Sequence, residues 1–103
     1  MDLRLDEIDE VIKDKAIILF YADWCPYCLA FKPIFESYKI NYYKTFNVKI
    51  NEDDNPLWER FNIMTIPTVI AFNNNKIVAR RDAKPAYGLR KDDMESLIKE
   101  LSN

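Results

Sequence analysis

Apolar positions change their spacing along the chain, and each spacing predicts an element. Leu5, Ile8, Val11 and Ile12 recur at helical intervals among acids and lysines, which predicts an amphipathic helix from about Asp2 to Lys13. Ala16 to Ala22 is a continuous apolar run, too short for a buried helix and without the alternation of a half-exposed strand. It predicts a central strand covered on both faces. From Cys25 to about Ile40, Cys28, Phe31, Phe35 and Tyr38 fall on neighbouring turns, with Lys32, Glu36 and Lys39 left for the wet side of a helix. Pro33 removes a backbone hydrogen bond inside that helix, at roughly 3 kcal/mol in an ordinary one, so a kink is expected there.

Phe46, Val48 and Ile50 alternate with Asn47, Lys49 and Asn51 as a strand should, and strand–helix–strand order favours a right-handed parallel crossover. Asn55-Pro56 is a helix start, with Asn as cap and Pro at the first helical position, opening a short helix that carries Leu57, Trp58 and Phe61 and ends by Asn62. Thr68–Phe72 and Lys76–Arg80 flank three asparagines and predict a hairpin, because Asn tolerates the left-handed conformations of tight turns. Arg80-Arg81 reads as a solvated strand end, and Trp58 and Tyr87 as packing residues. Met94, Leu97, Ile98 and Leu101 mark a closing helix capped by Asp92 or Asp93. The expectation is an α/β fold in one domain spanning 1–103, with a central mixed sheet of about four strands flanked by helices on both faces.

Composition narrows what such a domain can do. A chain that is 49% hydrophobic is not intrinsically disordered. A net charge of −2 offers no broad positive field, which argues against nucleic acid as a partner. The first residues lack the apolar core of a secretory signal, and no run approaches membrane-spanning length, so a cytoplasmic protein without membrane contact is expected. Histidine is absent, which removes the usual general base and the mixed Cys/His zinc sites.

The candidate chemistry converges on Trp24-Cys25-Pro26-Tyr27-Cys28, which follows the buried strand and begins a helix. A helix N-terminus presents unpaired N–H groups and the positive end of the macrodipole to Cys25, favouring its thiolate and making it the nucleophile. Cys28, one turn on, is near enough to attack a mixed disulfide on Cys25 but sits deeper. A structural crosslink is the bland alternative, but closing so short a loop restrains the unfolded chain by only about 2 kcal/mol. Metal is another: two thiolates fall short of a closed site, although two subunits could pool theirs around zinc or an iron–sulfur cluster. Trp24 and Tyr27 suit an apolar rim that receives a substrate chain.

These residues resemble the thioredoxin family, and the resemblance runs from Ala16 to Leu101. Phe20-Tyr21-Ala22-Asp23-Trp24-Cys25 is similar to the family's approach to its redox site, and Pro33 to its helix-kinking proline. Lys49 to Pro56 resembles the strand and Asn-Pro before its short helix, and Thr65-Ile66-Pro67-Thr68 its cis-proline loop. The resemblance implies a thioredoxin-like fold and a protein-disulfide oxidoreductase cycling Cys25 and Cys28 between dithiol and disulfide. It also implies substrate contacts from Trp24, Pro26, Tyr27, Ile66 and a cis Pro67 facing the cysteines. No cofactor or metal is required, and a monomer is expected, whose partners are disulfide-containing proteins and either a thioredoxin reductase-like donor or glutathione.

The chain departs from the family at identifiable places. Leu19 stands where many thioredoxins bury an aspartate behind the resolving cysteine, so Lys49, which resembles that acid's partner, is expected to turn outward. Pro26-Tyr27 is the dipeptide of glutaredoxins, which leaves a glutathione-dependent reductase as one alternative. A binding module using the groove between Trp24 and Ile66, or a cluster-bridged dimer, is another. The N-terminus looks too short for the family's first edge strand, and Asp82 to Arg90 is a longer connection before the last helix.

Overall fold

Strand β1, Ala16–Tyr21, is buried along its whole length. Both of its faces are apolar: Ile17, Leu19 and Tyr21 enter one buried cluster, Ile18 and Phe20 the other. A computed structural model describes residues 2–102, so Met1 and Asn103, the ends of the expected domain, lie outside the described residues. Around β1 stand β2, Lys44–Lys49, β3, Thr68–Asn73, and β4, Lys76–Asp82, in the order β2-β1-β3-β4. β1 runs parallel to β2 and antiparallel to β3, and β3 pairs antiparallel with β4, so the expected parallel crossover and hairpin both form. The hairpin turns on Asn74 and Asn75, both at positive φ (55° and 65°), the conformation the asparagines were expected to accept.

Among the described residues, four α-helices cover the sheet. α2, Pro26–Glu36, and α4, Lys91–Leu101, bury Phe31, Phe35, Met94 and Leu97 in the cluster that contains both cysteines. α1, Ile8–Val11, and α3, Leu57–Arg60, contribute Ile8 and Leu57 to the opposite cluster. Among the described residues, no helix is long and apolar enough to cross a membrane.

Several elements differ from the expectation, each for a local reason. The first helix is a 3-10 turn, Leu5–Glu7, followed by α1, and does not begin at Asp2. Residues 2 and 3 are held by the sheet instead: the Leu3 amide donates to Asn47 O at 2.7 Å, and the Tyr21 hydroxyl donates to Asp2 at 2.7 Å. Among the described residues, a single parallel bridge between Asp2 and Asn47 lies along the outer edge of β2. Asn47, one of the polar positions that alternate along β2, is buried there and donates to Glu36 at 2.8 Å. α2 stops at Glu36 and not near Ile40; at its end the Ser37 hydroxyl donates back to Ile34 O at 2.6 Å.

α4 is preceded by Arg90, so neither Asp92 nor Asp93 is the cap residue, although Asp93 accepts the Arg90 amide at 2.8 Å. The residue before α3 is likewise Pro56 and not Asn55, although the Asn55 Oδ1 accepts the Leu57 amide at 3.0 Å. Arg80 and Arg81 are not freely solvated. Arg80 donates to Phe61 O at 2.8 Å, and Arg81 pairs with Glu100 at 2.9 Å.

Phe20 is fully buried, 5.6 Å between ring centroids from Phe61, whose ring lies 5.2 Å from Phe72. Phe20→Ala should therefore leave a cavity and cost about 3–5 kcal/mol. Urea unfolding should show a lower midpoint at unchanged slope; a loss below about 1 kcal/mol would contradict this packing.

Candidate active site

β1 ends at Tyr21, the chain turns through Ala22–Trp24, and α2 starts at Pro26. Proline suits a first helical position because the N–H it lacks has no intrahelical partner there. Cys25 is consequently the N-cap residue, with extended backbone (φ −101°, ψ 111°), and its Sγ accepts the Cys28 amide at 3.2 Å. The sulfur occupies the position in which a serine or aspartate oxygen ordinarily receives that amide.

The two cysteines differ in depth. Cys25 is 5% exposed and Cys28 0%, and both are free thiols. Burial, with a smaller contribution from the hydrogen bond to Cys25, pushes the Cys28 thiol up to about 12. Leu19 is fully buried in the same cluster as Cys28, so the position behind the second cysteine is apolar.

The other expected site residues gather around Cys25. Trp24 is 58% and Tyr27 45% exposed, and Pro26 is exposed beside them. The Ile66–Pro67 peptide is cis, Pro67 is buried, and the Cys25 thiol lies 3.8 Å from the Ile66 carbonyl. This loop is tied to the segment after β4, for Thr65 donates to Ala83 O at 2.8 Å and the Ala83 amide donates to Pro67 O at 3.0 Å.

Lys49 does turn outward, as expected, but it has an acid partner: its Nζ lies 3.0 Å from Asp23. The Asp23 carboxyl is held below its ordinary value by Lys49 and then by Asn51, and Lys49 is correspondingly raised. Asn51 was not singled out in the sequence, yet it organises the approach to Cys25. Its Oδ1 accepts the Asp23 amide at 2.9 Å, and its carbonyl accepts the Trp24 indole N–H at 3.0 Å. A polar residue at a strand end carries no sequence signal for such a role. Met64, two residues before Ile66, is 81% exposed. Tyr87, read as packing, is 58% exposed, with the Arg90 guanidinium 4.6 Å from its ring centroid.

The family model described as Thioredoxin matches residues 3–100. A thioredoxin of Chlamydia caviae is 34% identical over 84 residues, covering 81% of this chain and 76% of its own. The structure of spinach chloroplast thioredoxin f superposes with a TM-score of 0.82 at 16% identity, over 100% of this chain and 93% of that one. A thioredoxin f2 solved in complex with ferredoxin:thioredoxin reductase superposes with a TM-score of 0.81 at 18% identity, over 100% and 94% of the two chains.

The buried Cys28 thiol makes the stability of the reduced protein depend on pH. In the unfolded chain the thiol ionises near 9.0, whereas in the folded protein it keeps its proton to about 12. Between these values the folded state binds more protons, so stability is complete below the window and falls as pH rises through it. Thermal unfolding of the reduced protein should lose stability between pH 9 and 12 more steeply than Cys28→Ser does. Equal slopes would contradict the burial of an ionisable thiol.

Proposed function

The chain belongs to the thioredoxin family and is a protein thiol–disulfide oxidoreductase, and on that premise we propose how its residues divide the reaction. Cys25 attacks a substrate disulfide, forming a Cys25–substrate mixed disulfide and releasing the first substrate sulfur, which takes up a proton. Cys28 sulfur then attacks Cys25 sulfur. The Cys25–Cys28 bond forms, the second substrate sulfur leaves, and the Cys28 proton goes to it. Two electrons pass from the dithiol to the substrate, which departs as two thiols. The observation that carries this assignment is the asymmetry of the pair: Cys25 caps the helix and faces the Ile66 carbonyl, while Cys28 lies fully buried behind it.

The substrate is proposed to lie extended across the rim, with Trp24, Pro26 and Tyr27 against its side chains and the Ile66 backbone pairing with its main chain. Electrons are proposed to come from a thioredoxin reductase-like protein, a reading supported by the thioredoxin f2 found with such a reductase. Glutathione is the second reading, and Pro26-Tyr27 is the feature that favours it. A monomer working in the cytoplasm completes the proposal.

Reduction of insulin disulfides tests it, driven in one arm by NADPH and thioredoxin reductase and in the other by glutathione and glutathione reductase. Faster turnover with the reductase is expected; the reverse ranking would make glutathione the donor. Cys25→Ser should abolish turnover, and limited alkylation should label Cys25 before Cys28, so label appearing first on Cys28 would reverse the roles.

With Leu19 fully buried in the Cys28 cluster, no carboxylate at that position titrates with the thiol. Leu19→Asp in a Cys25→Ser background should add a second inflection to the pH profile of Cys28 alkylation. Two inflections already present with Leu19 in place would mean that another acid takes the proton.

A further inference from the structure

The chain contains one glycine, Gly88, in the segment between β4 and α4. Its backbone has φ +66°, and a Cβ added there would lie 2.9 Å from both Cβ and Cδ1 of Tyr27 and 3.1 Å from its Cγ. Positive φ alone does not account for the glycine. Tyr42, Asn62, Asn74, Asn75 and Ala86 all take positive φ while carrying side chains, and Ala86 at 64° stands two residues away. What distinguishes position 88 is the contact with the residue between the two cysteines.

That contact is held from both sides. Gly88 and Lys84 exchange backbone hydrogen bonds at 3.0 and 3.2 Å, and Leu89 is buried in the cluster that contains Cys25 and Cys28. The Tyr27 atoms that approach include its Cβ, which is fixed to the backbone and cannot swing aside as a flexible side-chain end would. A methyl group at 88 must therefore move the turn of residues 25–28 or the loop itself.

We propose that Gly88 is a positioning residue for the Cys25–Cys28 couple: by admitting Tyr27 against its bare backbone, it sets the turn that carries the two sulfurs. A disulfide requires a specific geometry of its two half-cystines, whereas two separate thiols do not. Displacing the turn thus costs the oxidised form more than the reduced form, and the disulfide of a displaced turn is more easily reduced. The proposal rests on the dithiol–disulfide cycle and is independent of the donor that recharges it.

The test is equilibration in glutathione buffers, in which protein dithiol and one glutathione disulfide exchange for protein disulfide and two glutathione thiols. Gly88→Ala should shift this equilibrium toward the dithiol by about tenfold, equivalent to about 30 mV. In a Tyr27→Gly background the same substitution should change it by less than about twofold, because both the Cβ and the ring that it strikes are gone. An unchanged constant in Gly88→Ala, or an equal shift with and without the Tyr27 side chain, overturns the assignment. If Gly88→Ala does not fold, circular dichroism of the double variant decides. A folded double variant supports the Tyr27 contact, and an unfolded one shows that backbone conformation alone demands glycine. A wild-type protein that forms no Cys25–Cys28 disulfide at any buffer ratio would instead overturn the redox cycle itself.

Discussion

Burial of β1 from both sides constrains everything placed around it. A strand with apolar side chains on both faces must be covered twice, which is why α2 and α4 occupy one side of the sheet and α1 and α3 the other. With the middle of the sheet fixed, the carboxyl end of β1 delivers the chain to a single exit, where Ala22 is still buried and Asp23 and Trp24 are exposed. Cys25 stands one residue beyond, at the start of a helix whose inner face is anchored by Phe31 and Phe35. Rigidity at Cys25 is inherited from the core.

Depth separates two chemically identical side chains. Cys25 and Cys28 are one helical turn apart, but the first lies at the N-cap under an open rim and the second points into the apolar cluster. The low polarity around Cys28 disfavours its anion, so the thiol stays protonated while it waits behind Cys25. Replacing a buried acid by Leu19 removes a partner for that proton and strengthens the apolar character of the position. Lys49, without a buried carboxylate to reach, pairs with Asp23 at the surface, where solvent screens the interaction and its main effect is to brace the approach to Trp24.

Three segments distant in sequence meet at the site, and backbone hydrogen bonds hold two of them together. The cis-proline loop and the segment after β4 are joined through Ala83, and that segment then returns to touch Tyr27 at Gly88. The apolar rim of Trp24 and Tyr27 therefore rests on a framework whose parts are joined to one another. An exposed aromatic rim of this kind suits contact with an extended chain, to which the Ile66 backbone can contribute hydrogen bonds.

The local pattern of residues was enough to specify β1, the cores of α2 and α4, the asparagine hairpin, the Asn55 oxygen that receives an amide at the start of α3, and the Cys25–Cys28 motif. Each depends on neighbours within a few turns of the chain: period of hydrophobicity, a capping oxygen, a residue that accepts positive φ. Where one segment is claimed by another far away, local pattern misleads. Asp2 and Leu3 have helical spacing behind them but bond to β2 and Tyr21; Asn47 alternates like a wet residue but lies under the N-terminal segment; Arg80 reaches the end of α3. The partners of Asn51 and Gly88 belong to the same class, since nothing near either residue says that Trp24 or Tyr27 will arrive beside it. The sequence by itself determined that two sulfurs stand one turn apart at a helix start, because their spacing is a local property. Only the tertiary structure decided what surrounds them, because hydrogen bonds and steric contacts between distant segments exist only once the sheet has brought those segments together.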